Sequence, residues 1–100
     1  QMQSKVDLLR SWLSESFGGA PVSYQHAHML HKFRVETAPH RWLYVSDEFI
    51  EDQPEADLFV AIRDFDVLQQ LTAKPGPSHL LLTHGGIVEV GADFGRSANE

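Results

Sequence analysis

Six histidines and no cysteine bound the chemistry that this 100-residue chain can attempt. His26-Ala27-His28 comes first, because residues two apart on a strand project from the same face and both imidazoles can then reach one ion. A third ligand is available from His31, His40, His84 or an acid. Imidazole without thiolate suits zinc, nickel or copper, so a divalent transition metal is the one cofactor these residues suggest. The competing reading is a solvated strand face with some histidines paired to acids, since among six histidines a spacing of two also arises by chance. Without cysteine there are no disulfides, thiolate nucleophiles or thiolate metal ligands.

Other constellations fall short of catalysis. Thr83-His84-Gly85-Gly86 could offer backbone N–H groups to an oxyanion, but only beside a nucleophile on a G-x-S-x-G elbow, which the sequence lacks. Asp47-Glu48 and Glu51-Asp52 supply paired carboxylates without the glycine turn and alternating oxygens of a calcium loop. Their place near a helix start is explained by the helix dipole alone. Gly18-Gly19 and Gly85-Gly86 have neither the G-x-G-x-x-G spacing nor the Lys-Ser/Thr of a phosphate loop. With no catalytic constellation, the chain is not read as an enzyme.

The elements that must position these residues centre on His31–Ile50, which reads as a β-hairpin running into a helix. Phe33 and Val35 alternate with Lys32, Arg34 and Glu36, and Arg41–Val45 is aromatic or β-branched almost throughout. A turn at Pro39 with Thr37 opposite His40 would set Val35 against Trp42 and Phe33 against Tyr44. Phe33, Val35, Trp42 and Tyr44 then form one apolar face and the candidate interaction surface. Leu43 and Val45 occupy the other face. In that register the bases Lys32, Arg34 and Arg41 do not interleave with the aromatics, so a stacking platform for single-stranded nucleic acid is not expected.

Around the hairpin, Ser4–Phe17 has a helical stripe of Val6, Leu9, Leu13 and Phe17, with Ser4 as its N-cap and Gly18-Gly19 as its stop. Pro21–Leu30 fits either a strand or a helix, the strand being preferred with a bend near Leu30. Ser46 caps the helix after the hairpin, and Pro54 opens the next. Leu58, Ala61, Ile62, Phe65 and Leu68 form its stripe, which Asp64 and Asp66 could divide. His79–Thr83 and Ile87–Val90 flank a turn at His84-Gly85-Gly86. The expected fold is α+β, a single antiparallel sheet of four or five strands in the order α-β-β-β-α-β-β with helices mainly on one face. Residues 2–91 form one domain in this reading, and 92–100 a polar, frayed tail.

Composition narrows the role. A hydrophobic content of 42% with 22% charged residues is globular. No apolar run approaches a membrane span, and the lack of a signal segment and of cysteine leads to the expectation of a cytoplasmic protein. A net charge of −6 opposes general nucleic-acid binding. Two helices cannot cover both apolar faces of the hairpin, so the expected function is a protein–protein interaction or accessory module, most simply a homodimer. A histidine-based metal-binding domain is the alternative, and a small nucleic-acid-binding domain the third reading. Protonating all six histidines takes the formal charge from −6 to zero, so solubility should pass through a minimum between about pH 5 and 6. Light scattering across that range checks this, and a flat profile counts against it.

Overall fold

Hydrophobic alternation and short turns build the sheet first. The computed structural model describes residues 2–94, and its elements are α1 (Met2–Ser16), β1 (Val22–Ala27), β2 (Leu30–Val35), β3 (Arg41–Ser46), α2 (Asp47–Asp52), α3 (Glu55–Asp64), α4 (Val67–Thr72), β4 (Ser78–Thr83) and β5 (Gly86–Glu89). The strands form one sheet in the order β1-β2-β3-β4-β5. The strand expected within Pro21–Leu30 is Val22–Ala27, and in place of a bend near Leu30 the chain reverses in a turn at His28-Met29, with Leu30 already in β2. The polar tail expected over 92–100 lies, beyond Phe94, outside the described residues.

Two expectations about the sheet need correction. It is mixed rather than antiparallel, because β3 and β4 pair in parallel. The chain leaves β3, crosses one face through α2, α3 and α4, and returns to the same end. Such a crossover delivers a parallel neighbour, whereas a hairpin delivers an antiparallel one. The β2–β3 register is also shifted by one from Thr37 opposite His40. Val35 pairs with Arg41, Phe33 with Leu43, Arg34 with Trp42 and Lys32 with Tyr44. The connection therefore holds five residues, Glu36–His40, within which Thr37 Oγ1 donates to the Pro39 carbonyl at 2.7 Å. A slip of one residue exchanges the faces of a strand. Phe33 and Val35 consequently lie opposite the face that carries Trp42 and Tyr44.

The core is the helix-covered face. Val22, Phe33, Val35, Leu43, Val45, Leu80 and Leu82 meet Val6, Leu9 and Leu13 of α1, Phe49 and Ile50 of α2, Leu58 and Ile62 of α3, and Val67 and Leu71 of α4. Full burial of such side chains contributes about 1.5–3 kcal/mol each. Polar anchors fix the helices over the sheet. Lys5 Nζ donates to the Ile50 carbonyl at 2.7 Å, Arg10 to Val22 at 2.8 Å, and Arg41 and Ser78 both to Leu71, at 2.9 and 2.7 Å. Donors on Leu71 satisfy a carbonyl that the end of α4 leaves without an intrahelical partner.

Local signals worked where the cap chemistry is strong. Ser46 caps α2 by accepting from Phe49 N at 3.1 Å, with Asp47 and Glu48 in the first turn. Gly18 and Gly19 stop α1 with φ of 70° and 88°. Ser4 does not cap α1, which begins before it, and its hydroxyl donates to Glu55 at 2.6 Å. Leu68 is not in the buried stripe either. Asp66 adopts φ 58°, breaking the helical phase, so that α4 buries Val67 and Leu71 instead.

The β1–β2 turn holds two non-glycine residues, His28 and Met29, at φ 56° and 63°. A Cβ at positive φ costs about 1–2 kcal/mol, of which glycine's freedom in the unfolded chain returns part. Met29 is 72% exposed, so its side chain contributes little packing in compensation. Met29→Gly should raise stability by about 0.5–1 kcal/mol in urea denaturation. A loss of stability would mean that the Met29 side chain has a role the fold does not show.

Candidate functional site

Two groups of side chains stand apart from the core. The first is the face of the sheet that no described helix covers, called the uncovered face below. The register places Lys32, Tyr44, Leu81 and Val88 in one row across it and Arg34, Trp42 and His79 in the next. None of these belongs to the helix-packed cluster. Trp42, Tyr44 and His79 hold their rings nearly parallel, 13–15° apart, with centroids 5.6–6.3 Å from one another. The Tyr44 hydroxyl lies 3.2 Å from His79 Nδ1, and the Arg34 guanidinium sits 5.3 Å above the Trp42 ring. Phe94 closes over Tyr44 edge-on at 5.4 Å, and Tyr44 is buried. A groove of about 560 Å³ follows the platform, ending among Pro39, His40 and Pro77. Val88 stays 53% exposed beside it.

Charge on this face is largely matched within the hairpin. Glu36 accepts from Arg34 Nε at 2.7 Å and from the Ser23 hydroxyl, and lies 3.4 Å from His40 Nε2. These donors, the Ser23 hydroxyl first and then Arg34, hold the Glu36 carboxyl below the usual range. Most other acids of the described chain lie on the helices, behind the sheet. Burial keeps the His79 imidazole below its ordinary pKa, so it is neutral at pH 7.

The second group joins β1, β2 and α2. The two-residue turn brings His26 opposite His31, and their rings stack 4.2 Å apart at 5°. Both Nε2 atoms approach Asp47 Oδ1, at 2.7 Å for His26 and 3.0 Å for His31. His26 makes a hydrogen bond there. The contact of His31 does not have hydrogen-bond geometry, which leaves its buried Nε2 without a hydrogen-bond partner. On the far side of that ring, Nδ1 meets the Tyr24 hydroxyl at 2.7 Å. Burial lowers the His31 pKa, neighbouring His26 lowers it further and Asp47 opposes both. Among the described residues, His26, His31 and Asp47 are the one His/Asp/Glu group whose ligand atoms lie close enough to share an ion.

The sequence-derived candidates separate accordingly. His26 belongs to the cluster. His28 does not share its face, because β1 ends at Ala27 and His28 occupies the turn, with Nδ1 3.5 Å from Lys32 Nζ. His84 pairs with Asp52 at 3.1 Å. Phe33 and Val35 are fully buried under the helices and Tyr44 is buried on the opposite face, in contact with Phe94, so of the four only Trp42 offers surface. Contrary to expectation, bases and aromatics do interleave there. His79, Leu81 and Val88 had no local signal, as only the parallel β3–β4 pairing brings them beside Trp42 and Tyr44. His31, named among the possible third ligands, comes directly across from His26 through the two-residue turn at His28-Met29.

Compared with models of protein families, with curated proteins and with solved structures, the chain has no match in any of the three.

His79 provides a pH test of this geometry. An imidazole whose pKa is lowered by folding binds fewer protons in the folded state. Its stabilising contribution is therefore complete above the unfolded value of about 6.5 and is lost as pH falls below it. A glutamine in its place would not titrate. The stability of the wild type relative to His79→Gln should accordingly decline between pH 7.5 and 5.5, read from urea midpoints. A gap that widens on acidification would show that His79 gains rather than loses proton affinity on folding.

Proposed function

We propose that this chain is a protein-interaction module that pairs with a second copy of itself through the uncovered face of its sheet. The observation that supports this reading is the row of Leu81 and Val88 beside Trp42, with all described helices packed on the opposite side. Apolar side chains on an open sheet favour a partner that removes them from water. The molecule measures 34 × 32 × 23 Å, so a broad side offers on the order of the 800 Å² per partner that stable pairs bury. Sheet-on-sheet packing is a standard way to close such a face.

Charge favours the same side. Two chains of net charge −6 repel at long range, and the repulsion is least where acids are fewest. Acidic helices point away from the sheet, while Lys32, Arg34 and Glu36 lie on its open side. The basic hairpin and acidic helices sit on opposite sides of one molecule, so their attraction would build head-to-tail chains; an isologous pair has only the open faces to use.

Interleaving of Arg34 with Trp42, Tyr44 and His79 is the one feature that favours single-stranded nucleic acid instead. Against it, Glu36 already neutralises Arg34 and the whole molecule repels phosphate. Sedimentation equilibrium should give about twice the 11.3 kDa chain mass at tens of micromolar. Trp42→Glu should yield a monomer with unchanged far-ultraviolet circular dichroism, since Trp42 lies outside the core. A monomeric wild type overturns the proposal, and salt-sensitive binding of an oligonucleotide by that monomer would put the nucleic-acid reading in its place.

A further inference from the structure

We propose that His26, His31 and Asp47 form a binding site for one divalent transition-metal ion of the zinc type. The inference is independent of the pairing face, which lies on the other side of the sheet. Three elements converge on it: β1 supplies His26, β2 supplies His31, and α2 supplies Asp47 from its first turn. The backbone holds them together, because Ala27 pairs with Leu30 and Asp47 N donates to the Met29 carbonyl at 3.1 Å. The ligand atoms all lie within 4.8 Å of one another.

The observation that points to a ligand is His31. Its side chain is 0% exposed, yet Nε2 makes no hydrogen bond while facing Asp47 Oδ1. Buried polar nitrogens are almost always satisfied, so an orphan of this kind requires an explanation. An ion between the two imidazoles and the carboxylate would provide it. The opposite ring nitrogen is already engaged: with Nδ1–H donating to the Tyr24 oxygen at 2.7 Å, the Nε2 lone pair is left facing the cluster. A hydrogen bond behind a ligating imidazole is a usual feature of metal-binding histidines.

Geometry sets what must move. Around a tetrahedral ion with bonds of about 2.1 Å, neighbouring ligand atoms stand about 3.4 Å apart. The 2.7 and 3.0 Å contacts to Asp47 are shorter, so the carboxylate must withdraw by roughly half an ångström. The stacked rings must also tilt, since parallel rings direct their lone pairs side by side rather than to one point. Buried His31 cannot turn, whereas the His26 side chain is 43% exposed and the Asp47 side chain 20% exposed. The adjustment falls on the two ligands that have room. Two nitrogens and one oxygen suit a borderline ion such as Zn(II) over the all-oxygen preferences of Mg²⁺ and Ca²⁺. A fourth position is left for solvent. The alternative is a plain hydrogen bond from His26 to Asp47 with His31 stacked beside it.

The experiment uses the full chain stripped of metal, titrated with Zn(II) against a chromophoric chelator, with Co(II) absorption reporting coordination. One equivalent should bind with a dissociation constant in the micromolar range or below, and Co(II) should show tetrahedral visible bands. His26→Gln and Asp47→Asn, both at sites with solvent access, should each weaken binding roughly tenfold or more. His28→Gln should leave it unchanged, because His28 lies outside the cluster. No saturable binding below about 100 μM, unchanged affinity in both ligand variants, or loss of binding in His28→Gln would each overturn the proposal.

Discussion

The length of one connection governs this molecule. Glu36–His40 holds five residues, and that odd number places Val35 opposite Arg41 rather than Trp42. Side chains alternate across a sheet, so the parity of the loop decides which set meets the helices. Phe33, Leu43 and Val45 go to the core, whereas Trp42 and Tyr44 go to the other side with Lys32 and Arg34. An even connection would have sent Trp42 and Tyr44 under α2 and α4, and left Leu43 and Val45 to water.

Everything beyond the hairpin is consistent with that choice. The helix-covered face continues through Leu80 and Leu82 of β4, and its polar ends, Arg41 and Ser78, reach the terminal carbonyl of Leu71. On the face away from the helices, aromatic rings are combined with polar groups: a guanidinium over Trp42, an imidazole beside Tyr44. Such a surface is amphipathic, and among the described residues Phe94 covers part of it. The histidine cluster arises from the same pairing, because β2 carries His31 to the helix side, where α2 begins.

Elements with strong local chemistry were legible in the sequence. The α1 stripe of Val6, Leu9 and Leu13, the Ser46 cap, the Gly18-Gly19 stop and the turn after Thr83 all express rules that act within a few residues. The turn at His28-Met29 was not legible, since neither residue is a usual choice for positive φ and tertiary pairing imposes it. Loop parity escaped for a different reason: Pro39 marks that the chain turns without counting the residues involved. The parallel pairing of β3 with β4 has no local signature and depends on how the intervening helices cross the sheet. His26 could be singled out from spacing, and His31 and an acid named among several possible further ligands, but not which of them would join it. His31 needed the turn, and Asp47 needed the docking of α2.

The parallel pair at the centre of the sheet also orders assembly. Strands β1 to β3 close through connections of two and five residues, and β4 meets β5 through two. The central seam instead joins Ser46 to Ser78 across three helices. Closing a flexible segment of about thirty residues costs roughly 3 kcal/mol in chain entropy by length scaling alone, before any contact across the seam repays it. The meander and the terminal hairpin pair across short loops, whereas their union, with Leu43 and Val45 beside Leu80 and Leu82, closes the longest one. By that scaling, the middle of the finished sheet carries its largest closure cost.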